Sequence, residues 1–537
     1  MVSTSEIPFY KTGYFSSLIC DYLDGNKELS TLYNRFPNIE SFEKQIEEKK
    51  GFDYFSISHR KVLVSVLKEQ YERIQTSEAT EKNIDSLISE DTFTITTGHQ
   101  LNLFTGPLYF LYKIVSTINL SKELKAKYPN RHFVPVYWMA TEDHDFEEIN
   151  YFNFKGKKIH WNLDASGPVG ALSTDGLDAV FKLFSQDLGN SKNAQYLKDI
   201  FERAYLKHDN LADATRYLAN ELFKEYGLVI IDANNKELKK QFVPFMEDEL
   251  LNATSFKCVS KSNEHISELS NQSYNIQVTP RELNLFYIKK NLRERIVFED
   301  DIYKVVNTDI VWTKNDMMAH LQEMPERFSP NVIMRPLYQE VILPNLCYIG
   351  GGGELAYWFQ LKDFFNKVNV PFPILLLRNS VLIKSENQHK KLESLNISDE
   401  DIFLKRDVFI NKKVREISNI DIDFSTQKQH LLNQFQDLYK LAEQTDKSFI
   451  GAVKAQEVKQ LKGLDNLEKR LLKAQKRKLS DEVTRMTELQ NELFPNGGLQ
   501  ERNSNFSEFY LEYGEQLVPT LIKYLEPLNH KFLILTF

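Results

Sequence analysis

Cysteine, excess basic charge and long hydrophobic runs are all scarce in this sequence. Three cysteines occur in 537 residues, far apart and without a CxxC pair, which argues against a disulfide scaffold and a thiolate zinc cluster. The formal net charge of -8 leaves no basic footprint, so nucleic acid is not expected as the main partner. No run approaches the ~18 apolar residues of a membrane-spanning helix, and the start lacks the regions of a signal peptide. These absences predict a cytoplasmic protein with no membrane segment.

The arrangement of apolar segments predicts an α/β fold. The β-rich TFTITTG (92–98) is followed by a long helical pattern from GPLYFLYK and then by the strand-like FVPVYWMA. Two strands joined by a helix of about twenty residues form a parallel pair, because a parallel connection needs a crossover. Strand-rich sequence returns in NVIMRPLYQEVILPN, YIGGGGELAYWFQLKDFF and PFPILLLRN. The interpretation is a parallel-sheet core interrupted by an insertion.

A chain of this length predicts about two to four domains. The segment between the core halves holds GLVIIDAN and a β meander, LNLFYIKKNLRERIVFEDDIYKVV. The segments we expect are a helical segment packing on the core (1–90), the first core half (91–155), an inserted α/β region (156–310), the second core half (311–383), a helical coiled-coil domain (384–500) and a C-terminal segment folding back (501–537).

The helical domain carries a seven-residue repeat. Leu472, Leu479, Met486 and Leu493 recur at that spacing in the charged stretch LEKRLLKAQKRKLSDEVTRMTELQNELF, which PNGG ends. Such a seam is typical of an antiparallel helical hairpin or of a coiled coil between subunits. The apolar end HKFLILTF is expected to fold back, since it would otherwise be exposed.

The first candidate site motif is TTGHQLNLFTGPLYFLYK (96–113), after the first predicted core strand. Gly98 and Gly106 would let the backbone approach a ligand, and Thr105 is a candidate N-cap of a helix whose free amides would bind an anion. The motif matches neither GxGxxG nor GxxxxGK[ST], so a standard nucleotide site is not indicated. A glycine-rich turn with a satisfied histidine is the structural alternative. The candidate side-chain donors are His99, Gln100, Tyr109 and Lys113.

The second motif is ATEDHDFEEI (140–149), which follows the strand containing Trp138. Carboxylates at a strand end could hold an amino group, accept a proton or bind a divalent ion. Permanent metal is not favoured, because HExxH and further nitrogen or sulfur ligands are absent. Glu147 and Glu148 are expected on a solvated turn. The candidates are Trp138 and Glu142 for substrate binding and Asp143, His144 and Asp145 for catalysis.

The third motif is the run of four glycines at 350–353, followed by ELAYWFQ. Glycine costs conformational entropy on folding, so we expect this run to wall a ligand pocket rather than to serve packing. Glu354 would open a helix that bears Trp358. A flexible linker is the alternative. The candidate binding residues are Gly351, Gly352, Glu354 and Trp358.

The fourth motif is PFPILLLRNS (371–380), a buried strand that delivers Arg378 and Asn379 to its carboxyl end. An arginine there could neutralise a carboxylate or phosphate. Capping a helix or pairing with Glu354 is the alternative role for Arg378.

Together these motifs, with FSPNVIMRPLYQE, LPNLCYIGGGGELAYW and PNGGLQERNSNF, resemble the cysteine-adding ligases of bacillithiol biosynthesis. The resemblance extends over nearly the whole chain. It implies a Rossmann-like core similar to class I aminoacyl-tRNA synthetases, inserted connecting segments, and a coiled-coil domain that pairs two subunits. That family usually has glutamine where His99 stands.

The implied reaction joins the carboxyl of cysteine to the amine of glucosaminyl-malate in the last step of bacillithiol biosynthesis. Amide formation from a free carboxylate needs activation, so ATP with magnesium is a candidate co-substrate. TGPLY and LRNS are poor matches to the synthetase signatures HIGH and KMSKS, so another activated donor stays open. The alternatives are a metal-dependent hydrolase at the acidic cluster and a non-enzymatic coiled-coil assembly protein.

Overall fold

The computed structural model describes residues 2–52, 54–269 and 274–537. The strands are β1 (Ser3–Pro8), β2 (Thr92–His99), β3 (His132–Met139), β4 (Tyr151–Phe154), β5 (Lys157–His160), β6 (Val229–Asp232), β7 (Leu285–Lys289), β8 (Leu292–Glu299), β9 (Ile302–Val305), β10 (Val311–Thr313), β11 (Phe328–Pro330), β12 (Asn345–Gly350), β13 (Ile374–Leu377), β14 (Val381–Lys384) and β15 (Lys531–Thr536).

The α-helices are α1 (Phe9–Thr12), α2 (Ser17–Leu23), α3 (Ser41–Lys50), α4 (Ile57–Tyr71), α5 (Glu78–Ser86), α6 (Tyr109–Lys127), α7 (Phe146–Ile149), α8 (Leu177–Leu188), α9 (Lys192–Tyr205), α10 (Leu211–Phe223), α11 (Lys236–Asn252), α12 (Thr254–Leu269), α13 (Lys314–Glu323), α14 (Met334–Ile342), α15 (Gly352–Phe359), α16 (Lys362–Lys367), α17 (Glu386–Ser394), α18 (Arg406–Ile417), α19 (Ser425–Ala442), α20 (Lys447–Lys478), α21 (Ser480–Leu493), α22 (Gln500–Asn503), α23 (Phe506–Tyr513) and α24 (Leu517–Tyr524).

A five-stranded parallel sheet forms the core, in the order β13-β12-β2-β3-β6. Read from β6, the order along the sheet is 3-2-1-4-5, the arrangement of a doubly wound Rossmann-like fold. The predicted unit of β2, α6 and β3 is confirmed. The direction of strand order reverses between β2 and β12, so a ligand crevice is expected at their carboxyl ends.

One core strand lies in the segment that the sequence assigned to the insertion. GLVIIDAN contributes β6, which pairs in parallel with β3 rather than with the meander. Val229, Ile230 and Ile231 are fully buried, as expected for a strand covered on both faces. One strand of the core sheet therefore lies within 156–310.

The segment NVIMRPLYQEVILPN is a helix, so its prediction as strand-rich sequence was wrong. It forms α14, with Pro336 in the first helical turn. Proline lacks a backbone N–H, which is tolerated in a first turn but not in a central strand.

The chain ends meet in a second sheet of order β1-β15-β14. β15 pairs antiparallel with β1 and parallel with β14. The first segment thus begins with a strand rather than with the expected helix, and the apolar end HKFLILTF is buried as its middle strand. The predicted β meander forms β7, β8 and β9, and its sheet is extended by β10 beside β9 and by β11 beside β7.

In the helical domain, α19 and α20 pack together as a long hairpin. The helix expected across 467–494 breaks at Leu479, where α20 ends and α21 begins. Leu472, Met486 and Leu493 of the seven-residue repeat are buried, and they contact the protein's own main core. No helix among the residues described is long and apolar enough to cross a bilayer.

Candidate active site

A cavity of about 710 Å³ opens at the carboxyl ends of the core strands, beside the point where strand order reverses. Because β2, β3 and β12 are parallel, the residues that follow them converge on this edge of the sheet. The predicted site residues that line the cavity are Gly98, His99, Gln100, Tyr109, Lys113, Trp138, Glu142, Asp143, Gly351, Gly352, Glu354 and Arg378.

Other predicted residues lie outside this wall. Trp358 is fully buried and its ring packs on Tyr348, with centroids 4.7 Å apart. Asn379 is held by structural contacts, since its side chain accepts from Ser116 Oγ at 2.8 Å and donates to the Glu526 carbonyl at 2.8 Å. Both residues support the site from behind.

The acidic motif divides at its centre. Asp143 lines the cavity, whereas His144 and Asp145 are exposed beyond it. Nδ1 of His144 lies 2.6 Å from Nη1 of Arg293. Because arginine can only donate, this nitrogen accepts. The motif therefore brings Glu142 and Asp143 to the site and turns the two other predicted catalytic residues toward solvent.

The turn between β2 and α6 differs from the predicted anion cradle. Thr105 has φ of 68° and is not the N-cap, because α6 begins at Tyr109. Gly106 lines a smaller neighbouring cavity of about 260 Å³. The amide of Leu108, next to the helix start, already donates to the Ser504 carbonyl at 2.8 Å. This amide is therefore not free for an anion.

The buried Lys113 and the half-buried Glu354 form an ion pair in the cavity wall, with Nζ 2.6 Å from Oε2. Lys113 also donates to the Gly98 carbonyl at 2.6 Å. Glu354 accepts from Tyr348 Oη at 2.7 Å and from the Gly351 amide at 2.8 Å. Burial raises the pKa of Glu354, but Lys113 and these donors lower it by more. The net pKa lies below the usual value, so the carboxylate stays ionised. The lysine is thus already neutralised within the protein.

The glycine run is the turn from β12 into α15, not a flexible linker. Gly351–Gly353 line the cavity, as expected. Gly350 does serve packing, contrary to the sequence argument, because a Cβ there would lie 3.0 Å from side-chain atoms of Glu354, Leu355 and Tyr348.

The pKa values of Glu142 and Asp143 are shifted in opposite directions. Glu142 pairs with the buried Lys239, yet burial outweighs this partner and raises the pKa of Glu142. Burial also raises the pKa of Asp143, but donors and a nearby cation outweigh it: Gln100 Nε2 at 3.2 Å, the His144 amide at 2.8 Å and the charge of Arg293. The pKa of Asp143 therefore lies well below its usual range. One carboxylate is suited to remain charged and the other to accept a proton.

Arg378 pairs with Glu501 of the C-terminal region rather than with Glu354. Its Nη1 and Nη2 donate to the two carboxylate oxygens at 3.0 and 2.6 Å. Both side chains are buried, and the guanidinium lies over the ring of Tyr109. No local sequence signal joins two residues that are 123 positions apart.

Arg335 is the main cavity residue that the sequence argument missed. It lies near the rings of Trp138 and Tyr348 and donates to Gln339 Oε1 at 3.1 Å. Among the residues described, no carboxylate lies within ion-pair distance of it. The only available signal was an arginine between apolar residues in IMRPLY. Arg293 of β8, also missed, had no distinguishing signal.

His99 is a buried, neutral imidazole in the cavity wall. Burial is the main reason that its pKa falls to about 3, and the charge of Lys113 adds to the effect. The ring hydrogen-bonds the backbone of Thr105, while Nε2 has no partner among the residues described. The position thus offers a ring nitrogen rather than a charge.

Within the described part of the chain, no group of three or more His, Cys, Asp and Glu side chains is arranged to hold a metal ion. The acidic motif, which carried the metal-hydrolase alternative, instead places its carboxylates against Lys239 and Arg293.

Two family models match the chain end to end. Residues 2–379 match "Bacillithiol biosynthesis BshC, N-terminal Rossmann-like domain", and residues 381–537 match "Bacillithiol biosynthesis BshC, C-terminal coiled-coil domain". A protein of Flavobacterium johnsoniae named "Putative cysteine ligase BshC" is 61% identical over 533 residues, with 99% of each chain covered. A protein of the same name from Christiangramia forsetii is 60% identical, with 99% of each chain covered. Another from Bacillus cereus is 28% identical, with 94% of this chain and 95% of the relative covered. The resemblance found in the motifs is confirmed, and the chain belongs to the bacillithiol biosynthesis BshC family.

Proposed function

We propose that the protein is a carbon–nitrogen ligase that joins the carboxyl of cysteine to the amine of glucosaminyl-malate in the cytoplasm. The names of its relatives support a cysteine ligase. The observation that carries the proposal is the pair of adjacent cavity carboxylates, Glu142 and Asp143, whose pKa values are displaced in opposite directions. Such a division suits the proposed reaction, because one group can hold the ammonium of cysteine while another removes a proton from the attacking amine.

Asp143 is assigned to the ammonium group of cysteine. Its hydrogen bonds and the charge of Arg293 keep it ionised, so it can pair with a cation across the working pH range. Held there, the amino group of cysteine is kept from competing as a nucleophile.

Glu142 is assigned to the attacking amine. When that amine bonds to the activated carbonyl carbon, the bond from this carbon to the activating group breaks, the activating group leaves with the electron pair, and the nitrogen must lose a proton. A carboxylate with a raised pKa is the better acceptor, and Lys239 beside it can stabilise the group before the transfer.

Arg335 is assigned to an anionic group of the substrates. Arg335 is half-buried and has no carboxylate partner among the residues described, so a carboxylate or phosphate from a ligand would stabilise it. Activation of the cysteine carboxyl would use ATP with magnesium or another donor. None of these residues is assigned to that step.

The test is mass spectrometry of product after incubation with cysteine and glucosaminyl-malate, with and without ATP and magnesium. Asp143→Asn and Glu142→Gln should each lower turnover by at least about 100-fold, the usual scale for a charge or acid–base group in the reaction. The matched control is Asp145→Asn, two residues away and exposed, which should keep near-wild-type activity.

Equal activity in Asp143→Asn and Asp145→Asn would remove Asp143 from the mechanism. Absence of product from the wild-type protein under both nucleotide conditions would contradict a self-sufficient ligase.

We also propose a homodimer through the helical hairpin. Apolar side chains are exposed on it, including Leu441 at 54%, Val458 at 59% and Leu467 at 52%. An apolar surface of this kind favours association with a second copy.

A further inference from the structure

Arg502 is an exposed arginine of α22 that lies at the junction of two cavities. The main cavity and the smaller cavity of about 260 Å³ share Gln100, Tyr109 and Arg502 in their walls. The guanidinium forms no hydrogen bond or ion pair with any residue in the described ranges. It is therefore available to a ligand.

The backbone around Arg502 is fixed on both sides. The side chain of Gln500 pairs with both backbone groups of Ile383, each at 2.9 Å. On the other side, Asn505 donates to the carbonyls of Phe104 and Gly106 at 2.8 and 2.6 Å. A free cation is thus presented from a rigid support, which lowers the entropy lost on binding.

The other cavity cations differ in how far they are already neutralised. Lys113 and Arg378 have carboxylate partners inside the protein. Arg293 has none within ion-pair distance in the described part of the chain but lies near the charges of Asp143 and Glu142. Arg335, Arg281 and Arg502 have none within ion-pair distance among the residues described. A ligand with several carboxylates needs several such cations, and the arginine fork matches a carboxylate in two-point geometry.

We propose that Arg502 binds a carboxylate of the dicarboxylate half of the acceptor and so sets acceptor specificity. This inference rests on the proposed function. The smaller cavity is below the range of about 300–1,000 Å³ typical of drug-sized ligands, so it suits a four-carbon acid rather than a nucleotide. The C-terminal region thereby supplies a substrate-binding residue to the Rossmann-like core.

The experiment is isothermal titration of the full-length protein with glucosaminyl-malate, with methyl glucosaminide, which lacks the acid, and with ATP and magnesium. Arg502→Gln should bind glucosaminyl-malate about tenfold or more weakly than wild type, as for loss of a charged hydrogen bond. Arg502→Lys should recover part of the loss, and affinity for methyl glucosaminide should not change. The control is Arg485→Gln, an exposed arginine of α21 outside both cavities.

Equal affinity of wild type and Arg502→Gln for glucosaminyl-malate would overturn the inference while leaving the proposed function intact. Weaker binding of ATP with unchanged binding of glucosaminyl-malate would overturn it in favour of a phosphate. If wild type bound no glucosaminyl-malate, the proposed function and the inference would both be rejected. Unchanged melting of Arg502→Gln would show that the variant is folded.

Discussion

The ion pair between Arg378 and Glu501 ties the C-terminal region to the edge of the core sheet, and its removal should destabilise the protein. The side chains are 3% and 0% exposed, and two hydrogen bonds of 3.0 and 2.6 Å join them. Glu501→Gln keeps the size of the side chain but removes its charge. The guanidinium of Arg378 is then buried without a counter-ion.

Loss of one partner of a buried pair costs about 3–5 kcal/mol, because the remaining charge keeps its desolvation penalty. One kcal/mol shifts the melting temperature by about 2–4 °C in a domain of 150–250 residues, so we expect a fall of about 5 °C or more. The control is Glu400→Gln, which breaks the exposed Lys11–Glu400 pair. Its melting temperature should change by less than about 1 °C, since exposed ion pairs contribute little.

Scanning calorimetry of wild type, Glu501→Gln, Arg378→Gln and the double variant measures this interaction. The double variant should be no less stable than the worse single variant, because no unpaired charge remains in it. Glu501→Gln should also weaken acceptor binding, since Glu501 positions α22. A wild-type melting temperature in Glu501→Gln, or additive losses in the double variant, would refute this account of the pair.

Two further predictions concern the buried His99 and the exposed apolar side chains of the helical hairpin. Burial lowers the pKa of His99 to about 3 in the folded chain, whereas the pKa of an unfolded histidine is ~6.5. The unfolded state therefore binds the extra proton, and folding stability falls as pH drops through this window. Between pH 7.5 and 5, the wild type should lose about 2 kcal/mol more free energy of unfolding than His99→Gln. Urea midpoints at the two pH values measure this difference, and an equal change in both proteins would contradict the burial of His99. For the proposed homodimer, Leu441→Glu with Leu467→Glu should sediment as a monomer, while Leu183→Glu, exposed on α8, should sediment like wild type; an unchanged dimer would place the interface elsewhere.

The local sequence was sufficient to place residues that follow core strands. Gly98, Asp143 and Arg378 each come directly after, or at the end of, a parallel strand, and the carboxyl ends of such strands share one edge. A strand–helix–strand pattern and strand-end chemistry therefore predicted one crevice, and the structure places these residues in one cavity. The same argument was insufficient for the second half of the acidic motif, since the direction of a turn after its first residues depends on what packs against it.

Residues contributed by other elements gave no comparable signal. Arg293 comes from a hairpin of the insertion, and Glu501 lies 123 positions after its partner Arg378. Their place in the site depends on tertiary packing, which composition and periodicity do not encode. Thr105 failed for a different reason: its positive φ belongs to a tight turn before the helix, which the pattern did not distinguish from an N-cap.

In the proposed site, anion binding depends on what covers the first turn of α6. In many doubly wound folds the amides of this turn bind a phosphate. Here the Leu108 amide donates to the Ser504 carbonyl, and the Phe110 and Leu111 amides donate to the carbonyls of Pro107 and Leu108. In the proposed site, side-chain cations would therefore bind the anion. Apart from Arg293, whose charge lies near Asp143, the cavity cations without carboxylate partners come from the core (Arg335), the insertion (Arg281) and the C-terminal region (Arg502). Residues 2–379 alone would lack the last of these and would leave Arg378 buried without its carboxylate. If Arg502 binds the acceptor as proposed, both charges give a physical reason for the two family domains to occur in one chain.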